Sequence, residues 1–297
     1  MTNEQTLEFL TTAANQHASD IFIIAGRPLS IKVDGHLTDF GERLMPDDTK
    51  QILECIYQMA NNRDINHLLN TGDDDFSFSI PGLSRFRINA YKQRGSLAAV
   101  IRVIAFQLPD PSELSIPDDV MQTADYTKGM VLVTGSAGSG KSTTMACLID
   151  RINHSREGHI ITLEDPLEYL HRHDRCIVSQ REICTDTENY LTSLRATLRQ
   201  SPDVILLGEM RDHETIQTAM TAAETGHLVL SSLHTLGAAN SISRIIDVFE
   251  PAQQHQIIVQ LSMVLQAVIS QQLIPDVNGK VIPVFEVMRL TPAIRNM

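Results

Sequence analysis

The residues Gly135-x-x-x-x-Gly140-Lys141-Ser142 complete the phosphate-binding P-loop pattern. The apolar run Met130–Thr134 before it suits a buried strand, and after it Met145, Leu148, Ile149 and Ile152 recur at helical spacing. The motif therefore sits where its chemistry needs it, between a strand and a helix. Glycines let backbone N–H groups wrap a phosphate closely, and the helix N-terminus adds positive dipole. Lys141 has the length and charge to reach β- and γ-phosphates, and the Ser142 hydroxyl is a ligand for Mg²⁺. The competing reading is a glycine-rich turn that matches by chance, which the flanking strand and helix oppose.

The rest of the second half alternates strands and helices around this loop. Apolar runs at 159–163, 176–180, 204–208 and 228–232 join 130–134 as strands of a parallel α/β sheet. Glu164 and Asp165 follow one strand and Glu209 follows another, the positions where a nucleotide site places a water-activating or Mg²⁺-organising acid. Without the P-loop, the first pair would read as a loop-capping acidic turn. His227 and His234 flank the 228–230 strand and can contact or sense a γ-phosphate, or serve as ordinary structural histidines. His171 and His173 have no further ligand at metal spacing and read as exposed charge. Residues 251–272 read as helix, with Ile257–Ile274 a buried amphipathic stretch broken by Gln260, Gln266, Gln271 and Gln272. A strand pair turning at Asn278-Gly279 follows.

The first hundred residues have a different rhythm. Helices are expected over 4–17 and 47–60, and strands over 21–24, 31–33, 75–80, 84–91 and 98–104. Asp34-Gly35, Pro81-Gly82 and Arg94-Gly95 are turn signals. This is a small α+β domain over 1–107. Residues 108–118, rich in proline and acid, read as a linker to an α/β domain over 119–297. Arg85 and Arg87 share a strand face, with Arg102 on the next strand. Such a cluster can meet phosphate, or it can be an exposed face with scattered charge.

Composition excludes several classes. The net charge of −12 opposes nucleic-acid binding through a broad basic surface, so no nucleic acid is expected as partner. Four cysteines without a CxxC pair read as reduced cytosolic thiols. The N-terminus lacks the basic and apolar regions of a signal peptide, so membrane contact is expected only through partners.

Four blocks in order carry a resemblance: GSAGSGKST (135–143), TLEDPLEY (162–169), LRQSPDVILLGEMRD (198–212) and TAAETGHLVLSSLHT (221–235). With ASDIFIIAG (18–26), DFSFSIPGLSRFRINAY (75–91), RIIDVF (244–249), LQAVISQQL (265–273) and TPAIRN (291–296), they make the chain similar to the type II/type IV secretion superfamily of ATPases. Within it the pilus-retraction branch matches best. The chain shows neither the extra N-terminal domain nor the tetracysteine insert usual in assembly motors.

The resemblance implies a RecA-like P-loop ATPase domain behind a smaller PAS-like α+β domain. It also implies a cytoplasmic homohexamer at the inner face of the inner membrane, acting on a pilus platform protein (PilC-like) there. ATP and Mg²⁺ are the implied ligands. Gly135, Ser136, Ala137, Gly138, Ser139, Gly140, Lys141, Ser142 and Thr143 carry over as nucleotide-binding residues, with His227, Arg85, Arg87 and Arg102 contributing. Ser142 and Glu209 carry over as Mg²⁺ residues, the acid partly through water. Glu164, Glu209, Lys141 and His234 carry over as the catalytic set, with the water-activating glutamate left open between Glu164 and Glu209. A pilus-assembly, secretion or DNA-uptake motor and a weakly hydrolysing regulatory ring are the alternatives; the intact acids argue against the last. Two departures are local: Phe22 replaces a histidine of the family pattern, and Ser136-Ala137 replaces Pro-Thr.

Overall fold

Alternation of buried and open side chains organises the first part of the chain. The computed structural model describes residues 2–33, 35–104, 108, 110–277 and 281–296, and the chain divides into two units, 1–106 and 107–297. In the first unit α1 (Asn3–Asn15) starts on a capping box: the Gln5 amide donates to Thr2 Oγ1, and the Thr2 amide to Gln5 Oε1. Then follow β1 (Asp20–Ile23), β2 (Leu29–Val33), β3 (His36–Phe40), α2 (Pro46–Met59), α3 (Asn66–Thr71), β4 (Asp73–Ile80), β5 (Ser84–Gln93) and β6 (Ser96–Ile104). The strands form one antiparallel sheet in the order β3-β2-β1-β6-β5-β4. Its inner face, with Ile21, Ile31, Phe86, Ile88 and Ile101, packs on Leu10, Ile52, Leu53 and Ile56 of the helices. Neither β3 nor α3 was expected from the sequence. β3 is almost wholly exposed at the sheet edge, so it carries no buried alternation, and α3 is a short helix with only Leu68 buried. Of the expected turns, Asp34 and both Asn278 and Gly279 lie outside the described residues.

The second unit opens with α4 (Asp118–Met121), a 3-10 turn (Gln122–Asp125) and β7 (Gly129–Thr134). The proline-rich stretch before it is not free chain: Ile116 is buried in this unit's core and Leu114 packs against it. Then come α5 (Lys141–Ser155), β8 (Gly158–Glu164), β9 (Cys176–Glu182), α6 (Tyr190–Thr197), β10 (Val204–Leu207), α7 (His213–Glu224) and β11 (Leu228–Leu233). The unit ends with α8 (Ala238–Asp247), α9 (Pro251–Val264), β12 (Leu265–Pro275), β13 (Val281–Arg289) and α10 (Pro292–Arg295). The sheet order is β13-β12-β7-β11-β10-β8-β9, parallel except for the β12–β13 pair.

Both faces of the central strands β7, β10 and β11 are covered, so these strands are buried along their length and mostly apolar. Met130, Leu132, Ile205 and Leu207 face α6, α7, α8 and α9; Val131, Val133, Val204 and Leu206 face α5 and the 116–124 segment. The expected helix over 251–272 is corrected here. It stops at Val264, and 265–272 belong to β12, which lies parallel to β7. Ala267, Val268, Ile269, Ser270 and Gln271 are buried in succession, without the period-two alternation of a half-buried strand, so the mostly apolar stretch reads equally as helix or strand.

One buried polar cluster pins the first unit. Asp74 is 4% exposed and accepts hydrogen bonds from Tyr57 Oη (2.8 Å), Arg63 Nε (2.9 Å) and Arg63 Nη2 (2.7 Å). Burial pushes the Asp74 carboxyl up, but the Arg63 and Tyr57 hydrogen bonds outweigh it and hold the group below its ordinary value. Asp74→Ala strips these donors of their acceptor and is expected to cost the first unit about 3 kcal/mol, seen as a lower urea midpoint. A shift below about 1 kcal/mol would show the cluster to be a solvated surface pair instead.

Candidate functional site

The site begins where β7 stops. Gly135 leaves the strand with φ 152°, and a Cβ there would lie 2.3 Å from the Gln271 carbonyl oxygen and 2.5 Å from Ser139 Oγ. Only glycine lets the loop pass so near β12. Gly140 is the N-cap of α5 with φ 86°, and no side chain caps that helix. The first amides of α5 are thus left for an anion, with the helix dipole behind them. Thr134 Oγ1 and Ser139 Oγ are buried with no hydrogen-bond partner among the described residues. A glycine cradle, open helix amides and an orphaned hydroxyl suit a phosphate chain.

Lys141 is 8% exposed, and its Nζ donates to the carbonyls of Gly135 (3.0 Å) and Ser136 (2.8 Å). Burial lowers its pKa, while the Glu168 and Glu209 carboxylates pull the other way. Thr143 Oγ1 and Tyr169 Oη share a hydrogen bond of 2.8 Å, which ties α5 to the acidic loop after β8.

The parallel sheet brings its acids to the same end. A cleft of about 320 Å³ is lined by Ala137, Gly138, Lys141 and Ser142 of the loop, and by Glu164, Glu168, Glu209, Arg211, His171, Tyr190 and His234 around it. Glu209 is engaged at both oxygens: Oε1 with Arg211 Nη2 at 2.7 Å, Oε2 with His234 Nε2 at 3.3 Å. Glu164 accepts from Gln180 Nε2 at 3.4 Å, and burial pushes its carboxyl up to about 7. That is a carboxylate matched to proton transfer near neutrality. Ser142 and Glu209 supply hard oxygen donors of the kind Mg²⁺ takes. Among the described residues no group of three or more His, Cys, Asp or Glu is arranged to hold a metal ion, so Mg²⁺ here would lean on nucleotide oxygens and water.

Two histidine readings are corrected. His171 is not exposed charge: its ring lines the cleft, burial pushes its pKa down to about 4, and Nδ1 is buried without a partner among the described residues. His173 is exposed, but its Nδ1 accepts the Val178 amide (3.0 Å). His227 stands at the far end of β11 from the P-loop; its Nδ1 lies 2.9 Å from the Ala222 carbonyl oxygen at the end of α7. It does not line the cleft, whereas His234 at the other end does. The two ends of β11 lie on opposite edges of the sheet, so within one chain the cleft takes His234 and not His227.

The arginines lie in the first unit. Arg87 and Arg102 are register partners on β5 and β6, each facing a carboxylate: Arg87 Nη2–Asp75 Oδ2 at 2.8 Å and Arg102 Nε–Asp20 Oδ1 at 3.5 Å. Arg85 shares that face, with Nη1 3.5 Å from Ser79 Oγ. Gln180, Tyr190 and Gln271 are site residues that the sequence did not single out, and His171 was read there as exposed charge. Each is recognisable only once β9, α6, β12 and the loop after β8 are placed.

The profile of the Type II/IV secretion system protein family matches residues 3–285. The Type IV pilus retractation ATPase PilT of Pseudomonas aeruginosa is 43% identical over 290 residues, 98% of this chain and 84% of that one. A twitching motility protein of Neisseria gonorrhoeae is 40% identical over 294 residues, 98% of this chain and 78% of that one. The crystal structure of the pilus retraction motor PilT with bound ADP superposes with a TM-score of 0.89 at 44% identity, covering 98% of this chain and 84% of that chain.

The raised Glu164 carboxyl has a consequence for stability. A carboxyl whose folded pKa lies above its unfolded value of about 4.3 supports folding fully below that value, and its contribution is lost as pH rises toward 7. Glu164→Gln should therefore melt a few degrees above the parent at pH 8, with the gap shrinking toward pH 4.5. Equal melting temperatures at both pH values would place Glu164 in ordinary solvent.

Proposed function

The chain belongs to the Type II/IV secretion system protein family, and on that premise we propose that it is the ATP-hydrolysing motor of type IV pilus retraction, with twitching motility as its output. One observation carries this: the P-loop, Glu164, Glu209 and His234 line one cleft in a chain that is 43% identical to PilT across 98% of its length. It is an ATPase of the PilT type. The open N-terminus of α5 and Lys141 meet the phosphates. Bound at Ser142 and, through water, at Glu209, Mg²⁺ would supply charge neutralisation to the phosphates. Glu164 is the proposed base: its carboxyl is poised near 7 and is held by one amide. Glu209 is tied to Arg211 and His234, which suits an acid that orients the water shell of Mg²⁺ beside the phosphates.

In this reading the chain works as a homohexameric ring, the PAS-like first unit of one subunit set on the RecA-like second unit of its neighbour. Arg85, Arg87 and Arg102 then offset charge developing on the γ-phosphate of the neighbouring site. Support comes from their shared face, where Arg87 and Arg102 stand directly opposite each other and already draw in carboxylates. The motion would act on a PilC-like platform protein at the cytoplasmic face of the inner membrane. Among the described residues no helix is long and apolar enough to cross a membrane.

Deleting the gene in its own bacterium should give cells with more and longer surface pili in electron micrographs and no twitching. Bald cells would overturn retraction in favour of pilus assembly.

A further inference from the structure

A buried amide sits beneath the phosphate loop. Gln271 is 3% exposed on β12, and its Oε1 accepts a hydrogen bond of 2.7 Å from Thr144 Oγ1 in the first turn of α5. Its backbone oxygen is the atom that a Cβ at Gly135 would strike at 2.3 Å, and its Nε2 is the atom that a Cβ at Gly140 would strike at 2.8 Å. One residue thus touches both glycines that bound the loop and the helix that the loop feeds. β12 runs in register with β7 as far as Ser270 opposite Thr134, so Gln271 comes next, beside Gly135.

The neighbouring residue fixes the strand from its other face. Successive side chains of a strand point to opposite sides. Ser270 Oγ accepts the Gly237 amide at 2.8 Å, next to the Ala238 amide, which donates to Glu286 Oε1 at 3.0 Å. β12 is therefore pinned to the start of α8 on one side and reaches the phosphate loop on the other. An apolar side chain here would leave the fully buried Thr144 hydroxyl without its acceptor; the amide instead holds α5 to β12 at the level where phosphate is received.

We propose that Gln271 is a positioning residue for the phosphate loop: through Thr144 it sets the path of the backbone between Gly135 and Gly140, and so the affinity for the nucleotide phosphates. This rests on the reading of the cleft as a nucleotide site, and the test separates the two. ADP is titrated calorimetrically into the full chain and into Gln271→Met, Thr144→Val, the double variant and Thr144→Ser. Loss of the bond from either side should weaken ADP about tenfold, or about 1.4 kcal/mol. The double variant should be no weaker than the singles, since both remove one interaction, and Thr144→Ser, which keeps the hydroxyl, should bind like the parent. If Gln271→Met fails to fold, Thr144→Val tests the same bond with β12 intact. ADP affinities within twofold of the parent overturn the proposal, even if melting temperatures without nucleotide drop, because that outcome is a purely structural role. A parent chain that does not bind ADP overturns the nucleotide reading itself.

Discussion

A loop that must receive phosphates on its own N–H groups has few side chains with which to hold itself, so it is held from below. Here the contact is backbone against backbone: Gly135 passes the Gln271 carbonyl so closely that even a methyl group is excluded. That proximity requires β12 beside β7, which in turn requires the apolar faces of both strands to be covered by helices. Lys141 closes the loop by donating to the Gly135 and Ser136 carbonyls. The phosphate chemistry and the packing of the core are thus one arrangement.

Parallel strands then decide which side chains can act together. Glu164, Glu209 and His234 each follow the carboxyl end of a parallel strand and fall on one edge of the sheet. The environments of the two glutamates differ. Glu164 is desolvated and carries its proton up to about pH 7, whereas Glu209 is held between a guanidinium and an imidazole. Under the proposed function, two carboxylates of the same chemistry take different roles because of what surrounds them.

Much of this was legible before any coordinates. The P-loop, the strands at 130–134 and 204–208 and the acids that follow the strands announce themselves because each is a local pattern with a local cause: a glycine turn, a buried run, a charge at its end. What stayed hidden depends on the third dimension. β12 reads as helix because its buried residues run consecutively and lack the alternation of a half-buried strand. Gln271 then looks like a polar stripe on that helix. β3 has no buried side to give it alternation. His171 looks solvated until the loop after β8 folds it over the cleft. His227 looks like the twin of His234 until strand direction sends it to the opposite edge. The family resemblance supplied the arginines as site residues, which their own strand pattern left undecided.

Under the proposed function, Glu164 activates water in the P-loop cleft while Glu209 organises the Mg²⁺ water shell. Single-turnover ATP hydrolysis by purified Glu164→Gln, run beside Glu209→Gln, tests it most directly. Glu164→Gln is expected to bind ADP still but to lose about 10²–10⁴ of the hydrolysis rate. A Glu164→Gln protein that hydrolyses ATP at the parent rate, beside an inactive Glu209→Gln, would contradict it and reverse the two roles.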